Sequence, residues 1–152
     1  MNEITFSYNQ GLEIIPESVL QDISDTITSS TYHIEKYTIN KFRDEFLSGI
    51  KRKGWSDSVI LNRASKISIT SEKGDVGLCL QTGNVSRVYA DLLKLQCHYA
   101  QGRIKVGIII VPTQRCAKQY TSNSATYERL IRELPIFSQV ITMPIIVVGF
   151  YN

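Results

Sequence analysis

Thiol and imidazole side chains are the groups in this sequence best suited to binding a metal or attacking a substrate. The chain has three cysteines, Cys79, Cys97 and Cys116, and two histidines, His33 and His98. No two cysteines form a CxxC pair, and no Cys–His pair is recognisable. Walker-type phosphate loops, GxSxG elbows and HExxH motifs are absent as well. These residues therefore predict neither a zinc site nor a disulfide framework, and scattered cysteines are typical of a reduced cytoplasm.

The basic side chains are unevenly distributed along the chain. Six of the 14 acidic residues lie in the first 35 residues, which contain no Lys or Arg. All 17 basic residues follow, from Lys36 onward. The basic character of the chain after residue 35 favours a polyanionic partner for that region. An unevenly charged, solvated surface explains the same distribution and stays open as an alternative.

Composition and length indicate one globular domain. The chain has 152 residues, 43% of them hydrophobic and 20% charged, which is sufficient for a buried core. Its longest apolar run, near Met143–Tyr151, is far shorter than the ~20 residues that span a bilayer. Met1-Asn2-Glu3 lacks the basic and apolar regions of a secretory signal. We expect a single cytoplasmic domain over residues 1–152 with no membrane partner.

The spacing of apolar residues predicts helices and strands in a definite order. The predicted helices cover residues 16–29, 38–53, 85–100 and 123–134. The predicted strands cover residues 4–8, 12–15, 65–70, 76–81, 105–111 and 138–151, with a hairpin turn at 71–75 and a polar loop at 112–122. Two helices precede the hairpin, and strands alternate with helices after it. This order predicts an α/β fold with a mixed sheet and helices on both faces.

The most diagnostic stretch is Val76–Gln96, VGLCLQTGNVSRVYADLLKLQ. A strand ends in the turn Gln81-Thr82-Gly83-Asn84, a helix with a basic residue in its first turn follows, and the next strand reads VGIIIVPT. This arrangement resembles the BamHI/BglII group of type II restriction endonucleases, within the PD-(D/E)xK nuclease superfamily. The similarity extends over about Phe6 to Tyr151 and includes Gly54-Trp55, SNSATYERLIREL and ITMPIIVVGFY. It implies a restriction-endonuclease-like mixed β-sheet flanked by helices on both faces.

The resemblance also implies a set of active-site positions. Such enzymes use carboxylates to hold Mg²⁺ against the scissile phosphate, where the ion polarises the phosphoryl oxygen and activates a water. In this group an Asp lies on the first strand of the hairpin. A Glu lies on the second strand, followed after one residue by Glu or Gln. The resemblance puts the closing Gln at Gln81, the Glu position at Cys79 and the Asp position at Thr70, so both carboxylates are missing.

Other residues are candidates for holding a metal. A cysteine is a soft ligand and a poor match for Mg²⁺, so Cys79 is expected in the core. Gln81 remains, and Glu72 and Asp75 are candidate ligands, although solvated turn residues are the expectation for both. The acids that could serve as ligands displaced onto helices are Asp44, Glu45 and Asp91. Mg²⁺ is therefore the expected cofactor if the chain is active, and no cofactor is expected otherwise.

Duplex DNA and a second copy of the chain are the partners that the resemblance implies. The candidate DNA-binding residues are Lys51, Arg52, Lys53, Arg87, Gln114, Arg115 and Lys118. The first three end a helix, where the helix dipole also favours cations. Arg87 lies in the first turn of a helix, where the dipole favours acids, so its position gives weight to phosphate contact. Loop side chains such as Arg115 can contact bases or phosphates, or be merely solvated.

Three functions follow from these observations. The first is a BamHI/BglII-like duplex-DNA-binding protein whose metal-dependent cleavage is impaired or lost. The second is an active site-specific deoxyribonuclease that uses displaced metal ligands. The third is a protein-interaction module that keeps the fold without DNA, with the acidic N-terminal segment as its candidate binding surface.

Overall fold

The computed structural model describes residues 1–152. Six α-helices form, α1 (Gly11–Ile14), α2 (Glu17–Thr28), α3 (Ile39–Arg52), α4 (Val85–Ala100), α5 (Gln114–Ala117) and α6 (Tyr127–Glu133). Seven strands form, β1 (Asn2–Tyr8), β2 (Val59–Asn62), β3 (Ile67–Ile69), β4 (Ser71–Lys73), β5 (Val76–Leu80), β6 (Val106–Pro112) and β7 (Ile145–Tyr151). A 3₁₀ turn, Leu134–Phe137, follows α6. No helix has the length and apolarity needed to cross a membrane.

Five strands build one mixed sheet in the order β1-β7-β6-β5-β4. The central strands β5, β6 and β7 are parallel, while β1 and β4 pair antiparallel to them at the two edges. Every residue of Val106–Pro112 is buried, as expected for a strand that is covered on both faces. The predicted α/β fold with a mixed sheet and flanking helices is confirmed. Strands β2 and β3 form a separate antiparallel ribbon.

The two faces of the sheet pack against different helices. Alternate side chains of β5 point to opposite faces, so Leu78 and Leu80 join a core with α2 and α3. Cys79 joins the second core, which includes Leu92 of α4. The residue after β5, Gln81, follows the same alternation and contacts α4. The orientation of this strand therefore decides which helix each of its polar residues can reach.

Helix α4 has the bounds that the sequence predicted, and both ends have a physical cause. The side chain of Asn84 accepts a hydrogen bond from the amide of Ser86, which caps the first turn. Gly102 follows the helix with φ of +71°, a conformation that a glycine adopts without steric cost. The cap places the first turn of α4 directly beyond the end of β5.

The segments at residues 12–15 and 71–75 have a different secondary structure from the one predicted. Residues 12–15, predicted as extended, lie in helix α1 and its C-terminal cap. Asn9 and Gln10 both have positive φ and reverse the chain, and the hydroxyl of Ser7 then accepts a hydrogen bond from the amide of Leu12. The hairpin turn is also shorter than predicted, because Ser71–Lys73 pairs with β5 as strand β4. Strand β2 had no counterpart in the sequence prediction.

Two further differences lie after β6. The predicted polar loop contains helix α5, whose first turn is capped by a hydrogen bond from the amide of Cys116 to the hydroxyl of Thr113. Helix α6 begins later than predicted because Ser124 and Ala125 are held against the turn after β5. The amide of Ala125 donates to the carbonyl of Gly83. The last strand likewise begins at Ile145 rather than near residue 138.

Candidate functional site

A cleft of about 1160 Å³ opens between α3 and α4, beside the carboxyl end of β5. Helix α3 contributes residues from its first turn to its last, and α4 contributes residues from Arg87 to Lys94. The charged side chains on the cleft wall are Arg43, Lys51, Asp57, Arg87, Asp91 and Lys94. Thr70 and Gln81 also line it. The cleft is thus predominantly basic and is formed by the part of the chain with the most diagnostic sequence.

Gln81 is held in place by hydrogen bonds at both ends of its amide. Its Nε2 donates to Oδ2 of Asp91 at 2.7 Å, and its Oε1 accepts from the amide of Gly83 at 2.9 Å. Gln81 and Asp91 are both buried. Both ends of the amide that the family resemblance assigns to the active site therefore form hydrogen bonds within the protein.

Two cations bind oxygen atoms near the end of β5, one on the carboxylate of Asp91 and one on the carbonyl of Leu80. Nζ of Lys94 lies 2.9 Å from Oδ1 of Asp91, three residues earlier on the same helix. Nη1 of Arg43 donates to the carbonyl oxygen of Leu80 at 3.0 Å. Arg43 and Lys94 thus bring positive charge to the cleft wall from two different helices.

Thr70 lies between β3 and β4, next to Cys79 on β5, and the two side chains make different contacts. The amide of Thr70 donates to the carbonyl of Leu78, and its Oγ1 accepts from the amide of Leu80 at 3.0 Å. Cys79 is only 1% exposed and lies among the apolar side chains beneath α4. Burial, assisted by the nearby carboxylate of Asp91, raises the pKa of the Cys79 thiol to about 12. The thiol therefore stays protonated at neutral pH in the metal-free protein and, as a soft ligand, is a poor match for Mg²⁺.

The residues of the cleft do not fit a Mg²⁺ ion. Mg²⁺ requires hard oxygen ligands in octahedral geometry, with carboxylates as the charged ones. The cleft has two carboxylates, and each is paired with a lysine, Asp91 with Lys94 and Asp57 with Lys51 at 2.6 Å. No group of three or more His, Cys, Asp or Glu side chains in the chain is arranged to hold a metal ion. No chemical step is therefore assigned to a metal in this cleft.

The other acids considered from the sequence lie elsewhere. Glu72 is on β4 and contacts Nε2 of His98 at 3.1 Å. Asp75 is in the hairpin turn and pairs with Lys105 at 2.8 Å. Neither lines the cleft, because the turn lies at the opposite end of β5 from Gln81. On α3, Asp44 is exposed and Glu45 accepts hydrogen bonds from Ser30 and Thr31.

The candidate DNA-binding residues are divided between different surfaces. Arg87 and Lys51 line the cleft. Arg52 is exposed outside it, and Lys53 pairs with Asp25 at 3.0 Å. The predicted loop residues also lie outside the cleft. They are Gln114, Arg115 and Lys118, all of them exposed, and Arg115 lines a separate pocket of about 560 Å³.

Arg43 and Lys94 are cleft residues that the sequence reasoning missed. The i,i+3 spacing of Asp91 and Lys94 was a usable signal, since residues three apart share one face of a helix. Arg43 gave no such signal. It follows Phe42, a buried residue of the apolar stripe of α3, and its neighbour in the cleft is 37 residues away in sequence.

Comparisons with known proteins are consistent with this architecture. The crystal structure of restriction endonuclease BglII complexed with a DNA 16-mer has the same fold, with a TM-score of 0.89, 17% sequence identity, and coverage of 100% of this chain and 77% of that one. Free BglII gives a TM-score of 0.74 at 17% identity, with coverage of 100% and 80%. No individual curated protein gives a significant match.

The family itself is shown by sequence. The model of the family described as restriction endonuclease BglII/BglIII matches residues 4–150, nearly the whole chain. The resemblance drawn from the stretch after Val76 is thereby confirmed, together with the fold that it implied. The chain belongs to the BglII/BglIII family of restriction endonucleases.

Proposed function

We propose that this chain is a single-domain, cytoplasmic, BglII-like protein that binds duplex DNA, and that its Mg²⁺-dependent phosphodiester cleavage is impaired or lost. The observation that carries the proposal is the composition of the cleft at the end of β5. Its two carboxylates are both neutralised by lysines, while Arg43 and Arg87 have no acidic partner. Such a surface attracts a polyanion and lacks the charge that retains Mg²⁺.

The missing acids support the loss of cleavage. Thr70 and Cys79 are the residues that we assign to the family's Asp and Glu positions, and neither side chain is an anion at neutral pH. Burial keeps the Cys79 thiol protonated, and the Thr70 hydroxyl accepts a backbone hydrogen bond. Without these two charges, affinity for Mg²⁺ is expected to fall steeply.

DNA as the partner is supported by charge and by the relatives. The solved BglII structure with the highest similarity reported above is a complex with DNA. In the present chain, the first turn of α4 contributes Arg87 to the cleft, and a guanidinium is suited to phosphate oxygens. The cleft is therefore the surface that we assign to the DNA backbone.

A homodimer is supported by an exposed apolar patch, defined as Leu93, Ile136, Phe137 and Val140. Leu93 is 56% exposed on α4, and Ile136 is 72% exposed on the 3₁₀ turn. The ring centroids of Tyr89 and Phe137 are 5.7 Å apart, and Nε2 of Gln96 donates to the hydroxyl of Thr142. The segment that carries Ile136, Phe137 and Val140 therefore lies alongside α4. An exposed apolar patch of this kind suits the interface of a two-fold dimer. A palindromic DNA site is the target that such symmetry favours.

An active nuclease is the second candidate, and one observation favours it. Asp91 was among the acids considered as displaced ligands, and it lies in the cleft within 2.7 Å of the Gln81 amide. If Lys94 moved aside, Asp91 and Gln81 together would offer two oxygen ligands. The first proposal is preferred because a single carboxylate paired with a lysine is a weak site for Mg²⁺.

The test is to measure binding and cleavage on the same protein. Supercoiled plasmid is incubated with Mg²⁺ or Mn²⁺, and duplex binding is followed by fluorescence anisotropy at increasing salt. We expect binding that weakens steeply with salt and no cleavage. Metal-dependent cleavage that is lost in Gln81→Ala or Asp91→Asn would replace the proposal with the active nuclease. A complete lack of salt-dependent binding at micromolar protein would leave only the protein-interaction module.

A further inference from the structure

We propose that the Lys94 ammonium, fixed on Asp91, supplies in this cleft the positive charge that a divalent ion supplies in a metal-dependent nuclease. With Arg43 and Arg87 it forms a phosphate-binding site that works without metal. The ligand is a phosphodiester of the DNA backbone. The inference rests on the proposed function, since it concerns how the same cleft holds DNA.

The oxygens of Asp91 and those at the end of β5 already have protein donors. Lys94 and Gln81 donate hydrogen bonds to the two carboxylate oxygens of Asp91. Arg43 donates to the carbonyl oxygen of Leu80, and the backbone amide of Gly83 donates to Oε1 of Gln81. A metal ion would have to displace charged donors from this set, at the expense of hydrogen bonds that are among the stronger ones in proteins.

Lys94 and Arg43 nevertheless keep donors for an incoming anion. An ammonium has three donors and Lys94 uses one of them, on Asp91. A guanidinium has five donors, and Arg43 uses one of them, on Leu80. Both side chains are partly buried and anchored at one end, so little conformational entropy is lost when they bind a phosphate.

The charge of the cleft as a whole also favours an anion. Its charged side chains are four cations and two carboxylates, so cations are in excess. A metal-dependent nuclease site has the opposite sign, because carboxylates must accumulate to retain the ion. Here a phosphate is attracted directly and a divalent cation is repelled. Added Mg²⁺ should therefore act on DNA binding only as a counterion that competes for the phosphates.

The experiment measures the anisotropy of a fluorescently labelled duplex of about 20 base pairs, two helical turns. The protein is titrated in EDTA and in Mg²⁺ at equal ionic strength. We expect binding in Mg²⁺ to be no tighter than binding in EDTA, because Mg²⁺ only competes for the phosphates as a counterion. Binding that is about tenfold tighter or more in Mg²⁺ would overturn the inference and leave the DNA-binding proposal standing. No binding in either buffer would contradict both.

Variants of Lys94 test the role of its charge. Lys94→Gln should weaken binding in EDTA by about tenfold and lower the slope of log affinity against log salt by about 1. It also releases Asp91, so binding should now improve with Mg²⁺, and Lys94→Gln with Asp91→Asn should abolish that improvement. Lys94→Arg keeps the charge and should bind without metal.

A matched control comes from a second lysine–aspartate pair. Lys105 pairs with Asp75 at 2.8 Å, as Lys94 does with Asp91, but lies outside the cleft. Lys105→Gln should leave DNA affinity and its metal response unchanged. Thermal unfolding monitored by circular dichroism verifies that each variant is folded. If folded Lys94→Gln and Lys105→Gln proteins bind DNA equally, Lys94 has no role in phosphate binding and the inference is wrong.

Discussion

The side-chain amide of Gln81 donates a 2.7 Å hydrogen bond to the carboxylate of Asp91, joining the end of β5 to the middle of α4. Asp91 is only 6% exposed, so its charge needs partners within the protein. Lys94 is the second partner. In this arrangement Gln81, which the resemblance assigns to the active site, is a structural link, and the partners of Asp91 set the charge of the cleft around it.

Removing Gln81 should destabilise the fold through Asp91. Gln81→Ala leaves the buried carboxylate with Lys94 as its remaining side-chain partner, so we expect the free energy of unfolding to fall by about 1–3 kcal/mol. Urea unfolding measures this change. The control is Gln101→Ala, at the C-terminal cap of α4, where the effect should be within about 0.5 kcal/mol. Equal effects of the two substitutions would show that the Gln81–Asp91 bond contributes nothing.

Restoring the family's acids should create a metal site. In the double variant Thr70→Asp with Cys79→Glu, the new carboxylates lie beside Asp91, so their mutual repulsion should lower the stability of the metal-free protein. Mn²⁺ or Mg²⁺ should bind to it and raise the melting temperature. Calorimetric titration of both proteins is the measurement. Cys97→Glu, on the exposed face of α4, is the control. A folded double variant that binds no metal would show that Thr70 and Cys79 are not the family's ligand positions.

Buried thiols should make stability fall at high pH. Burial raises the pKa of Cys79 from 9.0 to about 12. In the unfolded chain the thiol ionises near its ordinary pKa, while the native protein keeps the proton. The stabilising contribution is therefore complete below about pH 9 and is lost as pH rises toward about 12.

Denaturant unfolding at several pH values measures this loss. The free energy of unfolding should fall in that window by roughly 1 kcal/mol per pH unit more steeply in the parent than in Cys79→Ala. The comparison with Cys79→Ala removes the contributions of other groups, including Cys116, whose pKa burial raises to about 11. Parallel pH profiles for the two proteins would mean that the Cys79 thiol is not desolvated.

Arg87 should contribute one phosphate contact to DNA binding. Arg87→Gln is expected to weaken duplex binding for all sequences and to lower the salt slope by about 1, because one fewer counterion is released. Anisotropy titrations at several salt concentrations give the slope. Arg103→Gln changes an exposed arginine outside the cleft and serves as the control. An unchanged slope in Arg87→Gln would remove this residue from the interface.

A charge in the exposed apolar patch should prevent dimer formation. Leu93→Glu would bury two carboxylates against apolar surface across a two-fold axis, so we expect it to convert a dimer into monomers. Sedimentation velocity gives the mass of each form. Ile60 has almost the same exposure, 58% against 56%, but lies on the separate β2–β3 ribbon. Ile60→Glu should leave the dimer intact, and a parent protein that is monomeric throughout the concentration range would contradict the assignment.

The main elements could be predicted because their signals are local. The bounds of α4 follow from the Asn84 cap, its apolar stripe and Gly102. The burial of β6 follows from its continuous apolar run. Helix α1 and strand β4 could not be predicted in the same way. Each depends on a partner distant in sequence, since Gly11 packs against the carbonyl of Ile145 and β4 forms hydrogen bonds with Ser56 in addition to its pairing with β5.

The sequence by itself determined the family, the absence of acids at Thr70 and Cys79, and the basic character of the chain after residue 35. These are properties of residue identity and spacing. Only the tertiary structure decided that Asp91, Lys94 and Arg43 meet around the end of β5, and that Glu72 and Asp75 lie away from it. The physical reason is that the charge of a site depends on distances between helices and strands, and packing of the two cores sets those distances.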